Sequence, residues 1–334
     1  MSASENTQTY FDLISPYCVR GWCAIPSRPD TRVQIELLNK TGKVLASCVS
    51  DMFRQDLLNA GIGNGDGKYA FELKGDFRNV NRIRVVVPVE IPMPNFASLE
   101  IHEEDSLFWN FYFSCQGNLD GGLKAAAMYA DDGMNSANML RTLCQDILHI
   151  KKRNLSLLEF NSGFGKVTCG LDKSVFSVTA SDIQAPAMEF IQNKLGVDTY
   201  LAPMDASQFN PGKTFDIVFA LSAFAHFDKS AFDKWLKALY NCVSSDGYFI
   251  FTTHGAVSNE SMRYELKNGF MYKENEAPVT GREKKAMSDF GASVATKEYV
   301  EAACKRVLNT APLISKEGYW WKHQDLYIIK KSGT

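Results

Sequence analysis

The chain has 334 residues, more than one ordinary domain of about 100 to 200, and 45% of them are apolar, so two buried cores are expected. Its 36 Lys and Arg against 38 Asp and Glu leave a net charge of -2, which excludes the clustered basic surplus that nucleic-acid binding needs. The opening MSASENTQTYFDLI lacks the charged-then-apolar build of a secretory signal, and no apolar run reaches the ~18 residues of a membrane span, so a cytoplasmic protein is expected.

From residue 10 to about 103, short alternating runs such as TRVQIELLN and NRIRVVVPVEI are separated by the turn signals NKTGK and GIGNGDGKY, the rhythm of a small sandwich or half-barrel. Within it, MFRQDLLNAGIGNGDG predicts a short helical turn followed by a glycine-rich loop. No Lys-Ser/Thr of a phosphate loop follows those glycines, so they read as a structural turn. The proline-punctuated EIPMPNFAS places a boundary near residue 100. An aromatic and then glycine-rich connector runs from 104 to 135, in which Phe108, Trp109, Phe111, Tyr112 and Phe113 suit an interdomain seam. NSANMLRTLCQDILHI follows with helical spacing, Asn135 or Ser136 serving as N-cap.

The pattern then alternates. Apolar runs at 155–160, 176–181, 199–204, 215–221 and 247–253 are short enough to be buried strands, and amphipathic segments at 186–196 and 229–243 are of helical length. Such alternation implies crossover units on a mainly parallel, doubly wound sheet. The charged, weakly periodic stretch from 256 to 295 reads as an insertion above the sheet, where lids and substrate loops lie. A helix at 297–308 precedes GYWWKHQDLYIIKK, which predicts a terminal antiparallel pair. The eight cysteines, Cys18, Cys23, Cys48, Cys115, Cys144, Cys169, Cys242 and Cys304, form no C-x-x-C pair and have no paired histidines. They read as buried reduced thiols, with no metal site among them.

The stretch LLEFNSGFGKVT, 157–168, is a strand leading into a glycine turn, and in a doubly wound sheet the first strand leads to the ligand. Gly163 and Gly165 let the backbone turn tightly and approach a ligand closely. Two cofactor classes use such a turn. A dinucleotide site wants a third glycine where Thr168 stands, and Glu159 would repel a pyrophosphate. An acid before the turn suits a cationic ligand, and Asn161 is a residue that accepts left-handed backbone angles.

E-x-N-x-G-x-G here resembles the E/D-x-G-x-G-x-G of class I S-adenosylmethionine-dependent methyltransferases. VTASDIQ at the second strand's end and MDASQF at the third's stand at matching positions, as does the fourth strand in FDIVFALSAFAHF. The whole stretch from there to TTHG, and the terminal WWKHQDLYII, are similar to bacterial methyltransferases that carry a PGG turn where this chain has SSDG, 244–247. RGWCAIPSRP and YAFEL resemble, more loosely, a β module joined to enzymes of bacterial surface-glycan assembly. The resemblance implies S-adenosyl-L-methionine as cofactor and a seven-stranded Rossmann-like sheet preceded by a small all-β domain. The implied cofactor-binding set is Glu159, Phe160, Asn161, Gly163 and Gly165, then Asp182 and Ile183, Asp205 and Ala206, and Ala220 and Leu221. In it, Glu159 orients the methionine amino group, Asp182 takes the ribose hydroxyls and Asp205 the adenine amino group.

Methyl transfer requires alignment of an acceptor, and an oxygen acceptor also benefits from a base. His226, just after the fourth strand, is the candidate base, and His254, just past the fifth, the candidate acceptor contact; each could instead be a packed histidine. Tyr129 could shield a sulfonium by cation-π contact or merely anchor the connector. The expected organisation is 1–103, a sandwich-like accessory module; 104–152, connector and leading helix; and 153–334, the methyltransferase domain. The acceptor is expected to be a small molecule or a sugar hydroxyl, with a homo-oligomer or glycan-assembly partner reached through the β module. A protein side chain as acceptor, an inactive methyltransferase fold acting as a scaffold, and a nicotinamide oxidoreductase are the other readings.

Overall fold

The structure is a computed structural model and describes residues 7–86, 89–92, 101–102, 104–105, 107–108, 119–152, 154–274 and 291–333. Two compact units divide the chain, Met1–Leu143 with Cys169–Leu171, and Cys144–Thr168 with Asp172–Thr334. Of the aromatic run expected to form a seam, Trp109, Phe111, Tyr112 and Phe113 lie outside the described residues, as do residues 275–290 of the insertion.

The first unit is built from β1 (Gln8–Ile14), β2 (Cys18–Ala24), β3 (Gln34–Leu38), β4 (Val44–Val49), β5 (Met52–Phe53), α1 (Gln55–Asn59), β6 (Lys68–Lys74), β7 (Arg82–Val85) and β8 (Val89–Pro92). They form two antiparallel sheets, ordered β1-β2-β6-β5 and β4-β3-β7-β8. Alternate residues of both sheets, among them Val19, Phe71, Ile35, Leu37 and Ile83, share one core, so the unit is a sandwich. The run NRIRVVVPVEI is therefore two paired strands rather than one. The glycine-rich loop is a structural turn, as expected: a side chain at Gly63, whose φ is +65°, would strike the Tyr69 ring, and Asn64 N–H donates to the Tyr69 hydroxyl at 2.8 Å.

The helix expected to begin at Asn135 or Ser136 begins earlier. α2 spans Leu119–Thr142 and runs into a π turn at Leu143–Ile147. Buried Ala125, Ala126, Tyr129, Ala130, Met134, Ala137 and Leu140 form one stripe at helical spacing, so the connector and the expected helix share an apolar face. That face, together with the helix-forming Lys-Ala-Ala-Ala-Met run, overrides the glycines and the capping signal.

The second unit follows the alternating pattern. Its elements are β9 (Leu155–Phe160), β10 (Phe176–Asp182), α3 (Ala185–Phe190), β11 (Asp198–Leu201), β12 (Phe215–Ala220), α4 (Lys229–Asn241), β13 (Val243–His254), α5 (Ala256–Met262), β14 (Phe270–Lys273), β15 (Ala292–Ala295), α6 (Lys297–Leu308), β16 (Ile314–Trp320) and β17 (Gln324–Lys330). Seven strands make one sheet in the order β11-β10-β9-β12-β13-β17-β16. β11, β10, β9, β12 and β13 run parallel, and β17 is antiparallel to both neighbours. The order reverses beside β9, so the carboxyl ends of β9, β10 and β12 frame the crevice where doubly wound folds bind ligands. Phe249, Phe251 and Tyr327 of the sheet share one core with Phe224 of the turn after β12, Phe232 of α4 and Val300 of α6.

Residues 244–247 do not make the tight turn expected of them. β13 already starts at Val243, and its register against β12 jumps from Phe215↔Val243 to Ile217↔Tyr248, so Ser-Ser-Asp-Gly is a bulge within the strand. Asp246 takes a φ of 61° there, and a side chain at Gly247 would come within 2.8 Å of Asp216 O. Among the described residues, no helix is long and apolar enough to cross a membrane.

Candidate active site

β9 ends in Glu159 and Phe160, whose side chains leave opposite faces of the strand. Phe160 packs into the aromatic core, 4.7 Å from the Trp235 ring, so the backbone is what it can offer a ligand. Glu159 is 3% exposed and accepts a hydrogen bond from Thr168 Oγ1 at 2.7 Å. Burial drives its pKa up to about 7, with Asp182 adding to the rise and the Thr168 hydroxyl opposing it. The residue standing where a dinucleotide fold would have its third glycine is thus the anchor of the carboxylate. Composition and spacing did not reveal that role, because it depends on a contact across the turn.

Beyond β9 the chain turns through Asn161, exposed at φ 64°, and Gly163, at φ 53°. Gly163 N–H donates to Asp182 Oδ2 at 2.8 Å, tying the turn to the end of β10. A Cβ built on Gly163 would meet nothing within 4 Å, so this part of the turn faces open space. Gly165 is different: its φ is 84° and a Cβ would lie 2.8 Å from Leu195 Cδ1, so it lets the turn pack on the segment after α3. Asp182 is buried, and its other oxygen accepts from Gln184 N–H at 3.1 Å. Burial raises its pKa, while the hydrogen bonds from Gly163 and Gln184 oppose the rise. Ile183, next along, is half-buried against the core.

Asp205 is exposed and caps a short turn by accepting from Ser207 N–H at 2.9 Å, a bond that lowers its pKa. It and the buried Ala206 border an open groove of about 550 Å³ whose other wall is Asp233, Lys234, Lys237, Ala238 and Asn241. That groove includes none of Glu159, Asp182, His226 or His254. Ala220 and Leu221, at the end of β12, are buried. Tyr129 lies in the first unit, where its hydroxyl donates to Asp105 Oδ2 at 2.6 Å and its ring meets Phe108 edge-on.

His226 follows the end of β12, whereas His254, expected just past the fifth strand, is the last residue of β13 and still pairs with Gln324 across the sheet. His226 Nδ1 is 3.0 Å from Gly291 O, and since a carbonyl only accepts, Nδ1 carries the proton and Nε2 keeps its lone pair. The side chain reaches solvent, yet many protein atoms surround it. That crowding lowers its pKa, and the Gly291 carbonyl partly restores it. His254 is lowered to about 4, by burial first and then by His226 and His323. Its Nε2 lies 3.4 Å from the side-chain nitrogen of Gln324, which is buried and also bonded to Ser222 and Thr252. Gln324 falls in the WWKHQDLYII match, but nothing in its spacing pointed to a function.

Residues 157–247 match the family model described as a methyltransferase domain. No curated protein matches the chain. Among solved structures, the chain is similar to the 1,6-didemethyltoxoflavin-N1-methyltransferase of Burkholderia thailandensis, crystallised with S-adenosylhomocysteine, at 17% identity over 75% of this chain and 96% of that one, with a TM-score of 0.44. It is also similar to an S-adenosylmethionine-dependent methyltransferase of Methanosarcina mazei, at 15% identity over 57% of this chain and 98% of that one, TM-score 0.44. The glycopeptide N-methyltransferase MtfA with S-adenosylmethionine matches at 13% identity, 60% and 94% coverage, TM-score 0.43. The match to a methyltransferase domain falls almost wholly within the second unit, whose seven strands form a Rossmann-like, mostly parallel sheet.

Proposed function

We propose that this S-adenosylmethionine-dependent methyltransferase O-methylates a sugar or other small-molecule hydroxyl. The residues present fit the cofactor. Glu159 is a buried carboxylate whose raised pKa marks a place that a cation would relieve, and Gly163 opens onto free space beside it. In this reading Glu159 faces the methionine amino group, and the backbone of Phe160, Asn161, Gly163 and Gly165 lines it. Asp182 and Ile183 take the ribose, Asp205 and Ala206 the adenine, and Ala220 and Leu221 the wall below the methyl.

When bound, S-adenosylmethionine supplies a sulfonium methyl, and the carbon–sulfur electron pair leaves with the sulfur. The protein's part is to hold the acceptor in line and to take its proton. The observation that carries an oxygen acceptor is His226: it is neutral at pH 7 by its lowered pKa, its Nδ1–H is spent on Gly291 O, and its Nε2 lone pair is left to take the hydroxyl proton. The sugar class is supported by the resemblance of the first unit to modules of surface-glycan enzymes, and by the sandwich that unit forms.

Calorimetry with S-adenosylmethionine and S-adenosylhomocysteine tests the cofactor. Both are expected to bind, and Glu159→Ala is expected to weaken both by about tenfold or more, as the loss of a charge-assisted hydrogen bond does. Formation of S-adenosylhomocysteine on adding nucleoside diphosphate sugars or methyl glycosides then tests the acceptor, with His226→Gln expected to lower it about 100-fold. A chain that binds neither defeats the methyltransferase reading.

A further inference from the structure

We propose that Gln324 is the positioning residue of the acceptor side: it holds the turn that carries His226 and commits the Nε2 lone pair of His254, leaving His226 to take the proton. This rests on the methyltransferase reading above and assigns different work to its two histidines.

Gln324 opens β17, directly across from His254 on β13, and is 3% exposed. Every atom of its amide is engaged. Oε1 accepts from Thr252 Oγ1 at 2.6 Å, and Nε2 donates to Ser222 Oγ at 2.6 Å and faces His254 Nε2 at 3.4 Å. In this structure the amide oxygen faces Thr252: Thr252 Oγ1 accepts Ser222 N–H at 2.9 Å and gives its own hydrogen to Gln324 Oε1. The amide NH2 then points at both Ser222 and His254. An N–H requires a lone pair opposite, so His254 Nε2 is unprotonated and its neutral ring carries hydrogen on Nδ1. That Nδ1 is buried and has no hydrogen-bond partner among the described residues. Both histidines hold the same tautomer with opposite consequences, since the Nε2 lone pair of His226 has no partner among the described residues and that of His254 is occupied.

The same amide restrains the turn. Ser222 has a φ of 61°, a left-handed conformation that a serine adopts only when its surroundings impose it. Thr252 holds its N–H, Gln324 holds its hydroxyl, and the chain reaches His226 four residues later. One buried side chain on the antiparallel strand therefore sets the position of one histidine and the protonation site of the other. His323 is the remaining imidazole of this rim. Its Nδ1 lies 3.2 Å from Trp321 O, which leaves its Nε2 lone pair open, and its ring stands 6.1 Å from that of His254.

The test is the tautomer, read from long-range proton–nitrogen spectra of the full chain labelled with 15N-histidine at neutral pH. Signals are assigned from His226→Gln, His254→Gln and His323→Gln. Both His226 and His254 are expected as the Nδ1–H form. Gln324→Glu keeps the shape but can only accept, so His254 is expected to shift to the Nε2–H or doubly protonated form. Thr252→Val, a second variant that keeps the β-branched shape, frees the amide and is expected to mix the His254 tautomers; the turn also loses the Ser222 N–H bond, but His226 is expected to stay in the Nδ1–H form that Gly291 O sets. An Nε2–H His254 in the parent protein, or an unmoved His254 signal in whichever variants fold, overturns the proposal. So does loss of methyl transfer to the acceptor in His323→Gln with transfer retained in His226→Gln. The spectra need neither methyl donor nor acceptor, so a chain that fails to bind S-adenosylmethionine defeats the functional reading and leaves the Gln324 lock standing or falling by itself.

Discussion

Glu159 shows what a single residue costs and returns. Its folded pKa of about 7 lies above the ordinary 4.5, chiefly because burial penalises the charged form. The folded state therefore binds this proton more tightly than the unfolded chain does, so stability from Glu159 is full at low pH and is lost as pH rises through about 7. Glu159→Gln keeps an acceptor for the Thr168 hydroxyl and removes the charge. It is expected to gain ~1–3 kcal/mol over the parent above neutrality and nothing near pH 4, as measured by denaturant unfolding at several pH values. The parent is expected to release protons when it binds S-adenosylmethionine below pH 7, detectable by calorimetry in buffers of different ionisation enthalpy, and Glu159→Gln to release fewer. The acid was legible in the sequence from its place before two glycines. Thr168 was legible only as a missing glycine, because the bond that gives it meaning joins residues on opposite sides of a turn.

At the scale of elements, the turn after β9 depends on Asn161 at φ 64°. Only glycine, asparagine and aspartate enter that region cheaply, so Asn161→Gly is expected to change stability by a few tenths of a kcal/mol and Asn161→Val to lose ~1–2 kcal/mol. Chemical unfolding monitored by circular dichroism separates the two. Where a helix has a local start signal, the sequence reading and the structure agree: α4 follows Asp228, whose side chain accepts from Ala231 N–H, and α6 follows Thr296 in the same way. Asn135 offered a similar signal and was not used, since the buried stripe of α2 had already begun at Ala125. Capping residues are worth about 1 kcal/mol, less than a continuous apolar face of several side chains. The bulge at 244–247 escaped notice for a related reason: a Ser-Ser-Asp-Gly turn and a Ser-Ser-Asp-Gly bulge share the same local chemistry and differ only in what β12 does alongside.

At the scale of the molecule, β17 does two jobs that are far apart in sequence terms. It covers the otherwise open edge of β13 and brings Gln324 to Ser222, Thr252 and His254. Truncation before Ile314 removes β16 and β17 and exposes Phe249, Ile250 and Phe251 on a long unpaired edge. The truncated chain is expected to aggregate on expression, measured by the soluble fraction and size-exclusion chromatography, while Lys316→Ala, an exposed position on β16, leaves the protein soluble. The two units each close their own core, one between antiparallel sheets and one between a mostly parallel sheet and its helices. Both classes were readable from the spacing of apolar residues, since periodicity of two and alternation of strand with helix are local properties.

By itself the sequence determined the strand-and-helix alternation, the carboxylate and glycines of the first turn and the carboxylates after the second and third strands. Each of these is a short-range pattern in which chemistry and backbone angle are written within a few residues. Only the tertiary structure decided that Thr168 anchors Glu159, that Gly165 serves packing rather than open space, and that Gln324 pairs with Ser222, Thr252 and His254. The Gln324 bonds reach from β17 to its neighbour β13 and past it to the turn after β12, up to 102 residues apart in the chain, and a partner at that distance is selected by strand order and burial, which no local pattern carries.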